Sequence, residues 1–136
     1  MSSRSPSPVD RRFWIGYWVL LFLITHVPVP AQAGLPLRGG DKVIHFVGYA
    51  LLAYLGGRAC GSENAKRRRR VLIAWAGVYL AYGALDEWLQ SFVGRTASAG
   101  DWLADAAGVV LCTLWLVGRR SSSGNPRLLR SRSREV

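Results

Sequence analysis

Acidic residues are scarce in this chain. Eight Asp and Glu stand against eighteen Lys and Arg in 136 residues, leaving a formal net charge of +10. Cysteine is scarcer: Cys60 and Cys112 are the only two, and they imply no disulfide framework. There is no internal repeat, no H-E-x-x-H zinc motif and no G-x-S-x-G nucleophile elbow. Neither zinc-protease nor serine-hydrolase chemistry is therefore written in the sequence. At this length the chain is one domain at most, and no stretch reads as a separate soluble domain.

What is present is apolar surface, kept apart from charge. Half of the residues are hydrophobic, and six of them are tryptophan. A soluble basic domain mixes charge through its amphipathic elements; here basic blocks alternate with apolar runs, the pattern of a membrane protein. Four runs can be read, at Phe13 to Pro30, Val43 to Ala59, Val71 to Val93 and Trp102 to Gly118. Each approaches or exceeds the roughly 17 to 25 residues a spanning helix needs, the second and fourth only marginally. Lipid offers the backbone no hydrogen bonds, so such runs must be helical. The expected fold is an all-α integral membrane four-helix bundle.

Orientation follows from the basic residues. Fifteen of the eighteen fall in the N-terminal tail, between the second and third runs, or in the C-terminal tail; only Arg38, Lys42 and Arg95 fall on the other side. The positive-inside rule then puts both termini in the cytoplasm, an N-in/C-in arrangement in the inner (plasma) membrane. The expected organisation is a disordered basic tail over 1–12, a transmembrane domain over 13–118 and a second disordered basic tail over 119–136. The block Lys66 to Arg70 lies between two spans, so it reads as a topology anchor on anionic headgroups, with membrane lipids and not nucleic acid as the partner. Arg11-Arg12, the first apolar run and Ala31-Gln32-Ala33 also have the layout of a secretory signal, and cleavage there would leave three spans. The length and aromatic content of that run favour its retention.

The few acids are not spread evenly. Asp41, Asp86, Glu87, Asp101 and Asp105, five of the eight, fall at the outer ends of the expected helices, together with His45, Tyr49, Gln90 and Arg95. Asp41/His45, Asp86/Gln90 and Asp101/Asp105 are each spaced i, i+4, so each pair shares a helix face. Asp86 lies roughly 10 Å inside the end of its run near Val93. An acid at the centre of a spanning helix costs about 2.5 to 3.5 kcal/mol, and less toward the interface. Interhelical polar contacts return only about 0.6 to 2 kcal/mol each. Intramembrane acids therefore mark a functional site by default, facing the bundle interior with partners. Asp101 and Ser98 stand at a helix start, where a plain capping role is equally open.

The same residues carry a resemblance. The segments DKVIHFVGYALL (41–52) and LDEWLQSFVGRTASAGDWLADAAG (85–108) resemble the VanZ-like membrane proteins, a family named for association with resistance to the glycopeptide teicoplanin. The matching positions are Asp41, Lys42, His45, Phe46, Tyr49, Asp86, Glu87, Gln90, Gly94, Arg95, Asp101 and Asp105. The chain departs from the pattern at Asp105, where family members often carry Asn. The resemblance implies a membrane protein of the cell envelope linked to antibiotic resistance; it names a phenotype and not a reaction.

Three functions are compatible with these residues. In the leading one, an anionic or lipid-linked envelope component binds or is processed at the outer leaflet. His45, Asp86 and Glu87 are then the candidate catalytic groups, an acid and a base of unequal pKa. Asp41, Tyr49, Gln90, Arg95, Asp101 and Asp105 are the candidate ligand-binding residues, with Arg95 on a phosphate. The excess of acids conflicts with simple phosphate binding, and a divalent cation bridging carboxylates to phosphate would resolve it. Asp41/His45 and Asp86/Gln90 supply oxygen and imidazole donors for such an ion, without a diagnostic motif. The second function is a proton or ion relay, against which the polar layer stops short of the cytoplasmic half. The third is a non-catalytic scaffold that binds a partner.

Overall fold

The computed structural model describes residues 8–26, 40–60, 64–94 and 97–119. It is all-helical over those residues: α1 (Pro8–His26), α2 (Gly40–Ala59), α3 (Ala65–Gln90) and α4 (Ala99–Gly118), with a 3-10 turn over Ser91–Val93. The AQA segment at 31–33, Arg95 and most of both tails lie outside the described residues.

Every helix starts three to six residues ahead of its apolar run. Capping explains the clearest case. Asn64 has an extended backbone and its side-chain oxygen accepts from the N–H groups of Lys66 (3.0 Å) and Arg67 (3.1 Å). That satisfies two of the donors a helix start leaves open, and it lets the basic block wind into α3 although five cations oppose the dipole there. One of them is used further on: Arg68 Nη1 donates to the Leu116 carbonyl at 3.2 Å, covering an acceptor in the last turn of α4. At the other end Gly94, with φ at 79°, closes the 3-10 turn in the left-handed region that a side chain disfavours.

α2 packs most extensively against α4, and the two run parallel, since His45 meets Asp105 and Gly57 meets Leu116; α3 on α4 and α1 on α2 are antiparallel neighbours. Gly108 makes the central crossing close. A Cβ there would run into the backbone carbonyl of Phe46 on α2, so only hydrogen lets the two backbones approach. The core holds Leu21, Tyr49, Leu52, Ala53, Tyr79 and Val109. Aromatic rings close it on the α1–α3 side. Trp14 meets Trp75 edge-on at 4.8 Å, and Trp18 meets Tyr79 at 5.4 Å and Tyr82 at 5.2 Å. Such pairs contribute about 0.5 to 1.5 kcal/mol each beyond the area they bury.

The outer surface is apolar on all four helices. Phe13, Val43, Ile73, Trp88 and Leu114 are each more than half exposed, Phe13 at 66% and Leu114 at 62%. By length and composition, however, only α4 among the described helices is apolar enough to cross a membrane. The other three expected spans fall short for visible reasons. Asp10, Arg11 and Arg12 lie within α1, Asp41, Lys42, His45 and Arg58 lie within α2, and the basic block together with Asp86 and Glu87 dilutes α3. The four-helix, all-α architecture expected from the sequence is what the described residues have; its place in a membrane belongs with the functional reading below.

Candidate functional site

Alternating helix direction brings the end of α1, the start of α2, the end of α3 and the start of α4 to one end of the bundle. The polar residues concentrate there. Tyr49, Asp86, Gln90, Asp105, His45 and Glu87 are all buried, from 0% exposed at Tyr49 to 6% at His45 and Glu87. The opposite end carries the basic block and Arg58, whose Nη2 pairs with Asp10 Oδ1 at 3.0 Å between exposed and half-buried side chains.

Asp86 and Glu87 are neighbours on α3 and therefore point about 100° apart around the helix. Asp86 turns toward α1. Its Oδ1 accepts from the Thr25 hydroxyl at 3.1 Å and, at a long 3.5 Å, from Tyr82; its Oδ2 accepts from Gln90 Nε2 at 3.0 Å. His26 Nδ1 lies 3.6 Å from Oδ1, while donating to the Phe22 carbonyl at 2.9 Å. Asp86 is thus a carboxylate with a donor on each oxygen.

Glu87 turns toward α2 and α4. Its Oε2 accepts the Ser98 backbone N–H at 2.9 Å, just ahead of the first turn of α4. Its Oε1 makes no hydrogen bond among the described residues and faces His45 Nδ1 at 3.6 Å. His45 uses the same Nδ1 to hydrogen-bond Asp105 Oδ1 at 3.0 Å, so two carboxylates face one imidazole nitrogen. Asp105 Oδ2 and the Tyr49 hydroxyl make no hydrogen bond among the described residues. The ring of Tyr49 and Asp105 Oδ2 both lie against Gly83, where a methyl group would sit 3.3 Å and 3.5 Å from them. Buried polar atoms left in this state cost about 1 to 3 kcal/mol each, which a stability role alone does not account for.

The remaining expected site residues divide. Asp101 sits in the first turn of α4 and pairs with Lys42 Nζ at 3.1 Å, its side chain 16% exposed. Asp41 is exposed at the start of α2, where an acid complements the helix dipole, and it does not turn inward with His45. Ser98 occupies the N-cap position of α4, but its hydroxyl makes no capping bond; its N–H serves Glu87 instead. Arg95 falls outside the described residues.

Sequence reasoning missed Thr25, His26 and Tyr82, the α1 and α3 partners of Asp86. A signal was present for the first two: Thr25-His26 is a polar pair at the outer end of an otherwise apolar run. It also missed Lys42 as the partner of Asp101. For a cation, the donors expected at Asp41, Asp86 and Gln90 are not the ones that converge. Asp41 points away, and Asp86 and Gln90 bond each other. The donor atoms of His45, Glu87 and Asp101 do converge, all within 4.8 Å of one another.

Compared with protein-family models, with curated proteins and with solved structures, the chain matches none. The resemblance to VanZ-like proteins therefore stands on the motif residues alone.

Proposed function

We propose that the chain is a VanZ-like integral membrane protein whose His45–Glu87–Asp105 cluster opens to the outer face of the plasma membrane. There it binds or processes an anionic or lipid-linked envelope component, contributing to glycopeptide resistance. The observation that carries the site is the unspent hydrogen-bonding capacity around His45. Two buried carboxylates face one imidazole nitrogen, and among the described residues Glu87 Oε1 and Asp105 Oδ2 have no hydrogen-bond donor. An imidazole beside carboxylates can take up or deliver a proton, and the free oxygens can receive groups from a ligand.

The membrane reading is supported by the apolar side chains exposed on all four helices, which water would penalise over so large an area. It is supported also by the segregation of basic residues to the end opposite the acids. A through-going proton relay is disfavoured, because among the described residues the core beyond Tyr49, which holds Leu52, Ala53, Tyr79 and Val109 with Thr113 also buried, contains no carboxylate or imidazole. A non-catalytic scaffold is the second reading, favoured by the thoroughly bonded side of the polar layer around Asp86.

Two experiments test this. With Cys60 and Cys112 replaced, a cysteine at Ala97 should react with a membrane-impermeant maleimide in intact bacteria. One at Lys66, exposed at the basic end, should react only after lysis. The opposite pattern, or labelling of both in intact cells, contradicts the orientation. In the same cells the wild-type chain should raise the teicoplanin concentration that stops growth, and His45→Ala and Glu87→Gln should abolish the rise at equal membrane abundance. A rise that survives Glu87→Gln leaves the scaffold reading in place of acid–base chemistry.

A further inference from the structure

The Glu87 carboxylate is held at one oxygen and idle at the other. Ser98 N–H fixes Oε2 at 2.9 Å, and this sets the direction of Oε1, which hydrogen-bonds to nothing among the described residues although Glu87 is only 6% exposed. Around that idle oxygen stand His45, with Nδ1 at 3.6 Å, and Asp101, with its donor atom inside the same 4.8 Å cluster. Asp101 spends Oδ1 on Lys42 Nζ, whose side chain is 55% exposed and free to swing outward. Asp105 Oδ1 bonds that same Nδ1 at 3.0 Å, so Nε2 is the ring nitrogen left for an ion, with Nδ1–H held by a carboxylate as metal-bound histidines commonly have it.

We infer that His45, Glu87 and Asp101 bind a divalent cation. One nitrogen and two carboxylate ligands suit Mn2+ or Zn2+ better than Ca2+, which takes six to eight oxygens. Three protein ligands leave coordination positions open. On the functional reading above, those positions receive a phosphate oxygen of the envelope component, which the carboxylates alone would repel. Lys42 is the built-in competitor, since its ammonium already neutralises Asp101 where the ion would. The ion would bind there whether or not an envelope molecule follows it.

The test uses the untagged full chain in detergent. The protein is stripped with a chelator, incubated with Mn2+ or Zn2+, passed over a desalting column and assayed for metal per chain by mass spectrometry. The wild type should retain one ion per chain of at least one of the two metals. Glu87→Gln and Asp101→Asn should each weaken retention by about tenfold or more. Lys42→Ala should strengthen it, and Asp41→Asn, altered at an exposed acid outside the cluster, should leave it unchanged. Asp101 and Lys42 are partly open to solvent, so those two variants decide the matter even if a circular dichroism spectrum shows Glu87→Gln to be misfolded. A wild type that retains no ion, or retention that is equal in all variants, overturns the assignment. Failure here with an intact teicoplanin phenotype removes the ion and leaves the envelope reading standing.

Discussion

Asp86 and Glu87 are adjacent in the chain, equally acidic and almost equally buried, yet they occupy opposite situations. On the α1 side, Asp86 gathers donors from Thr25, Tyr82 and Gln90. On the α2–α4 side, Glu87 shares a space with His45, Asp105 and Asp101, where among the described residues acceptors outnumber donors and two carboxylate oxygens make no hydrogen bond. The difference teaches how a polar layer inside an apolar bundle can do two things at once. A carboxylate surrounded by donors locks helices together, because removing it strands donors. A carboxylate among other acceptors stabilises little and is available for chemistry.

The comparison can be broken first on its bonded side. Asp86→Ala strands the Gln90 and Tyr82 donors and removes one acceptor of the Thr25 hydroxyl, which keeps the Phe22 carbonyl at 3.0 Å, and stability should fall by about 3 kcal/mol, read as thermal unfolding in detergent. Thr25→Val removes that hydroxyl and keeps the shape of the side chain, so about 1 kcal/mol should be lost. A loss as large as that of Asp86→Ala would mean that Thr25 acts through packing. Arg58→Ala, at the basic end, breaks an ion pair open to solvent and should leave the unfolding temperature unchanged. A measurable drop there would show that the bundle depends on both of its ends.

How much of this the sequence discloses depends on the residue. Helix number, the near-complete extents of the helices and the gathering of acids at one end are legible, because apolar runs, basic blocks and the helical rise fix them. Helix starts are displaced outward, since the cap at Asn64 and not the hydropathy of Val71 decides where α3 begins. Rotation about each helix axis is much less legible. Asp41 and His45 are spaced i, i+4 on α2, yet Asp41 is exposed while His45 is buried. The contrast between Asp86 and Glu87 is illegible for the same reason. Their partners come from four different segments, and which face of α3 meets which neighbour is set by packing such as the Gly108 crossing against Phe46. The roles proposed for His45, Glu87 and Asp105 rest on that rotation.

The most direct measurement is therefore thermal unfolding of the full chain in detergent for Glu87→Gln beside Asp86→Asn. Glu87→Gln removes a buried charge and keeps an oxygen for the Ser98 N–H, so it should unfold at or above the wild-type temperature, as replacements in strained functional sites often do. Asp86→Asn turns an amide donor against the donors of Thr25 or Gln90 and should unfold well below it. If Glu87→Gln falls as far as Asp86→Asn, both carboxylates are structural, and the cluster around His45 loses its standing as a functional site.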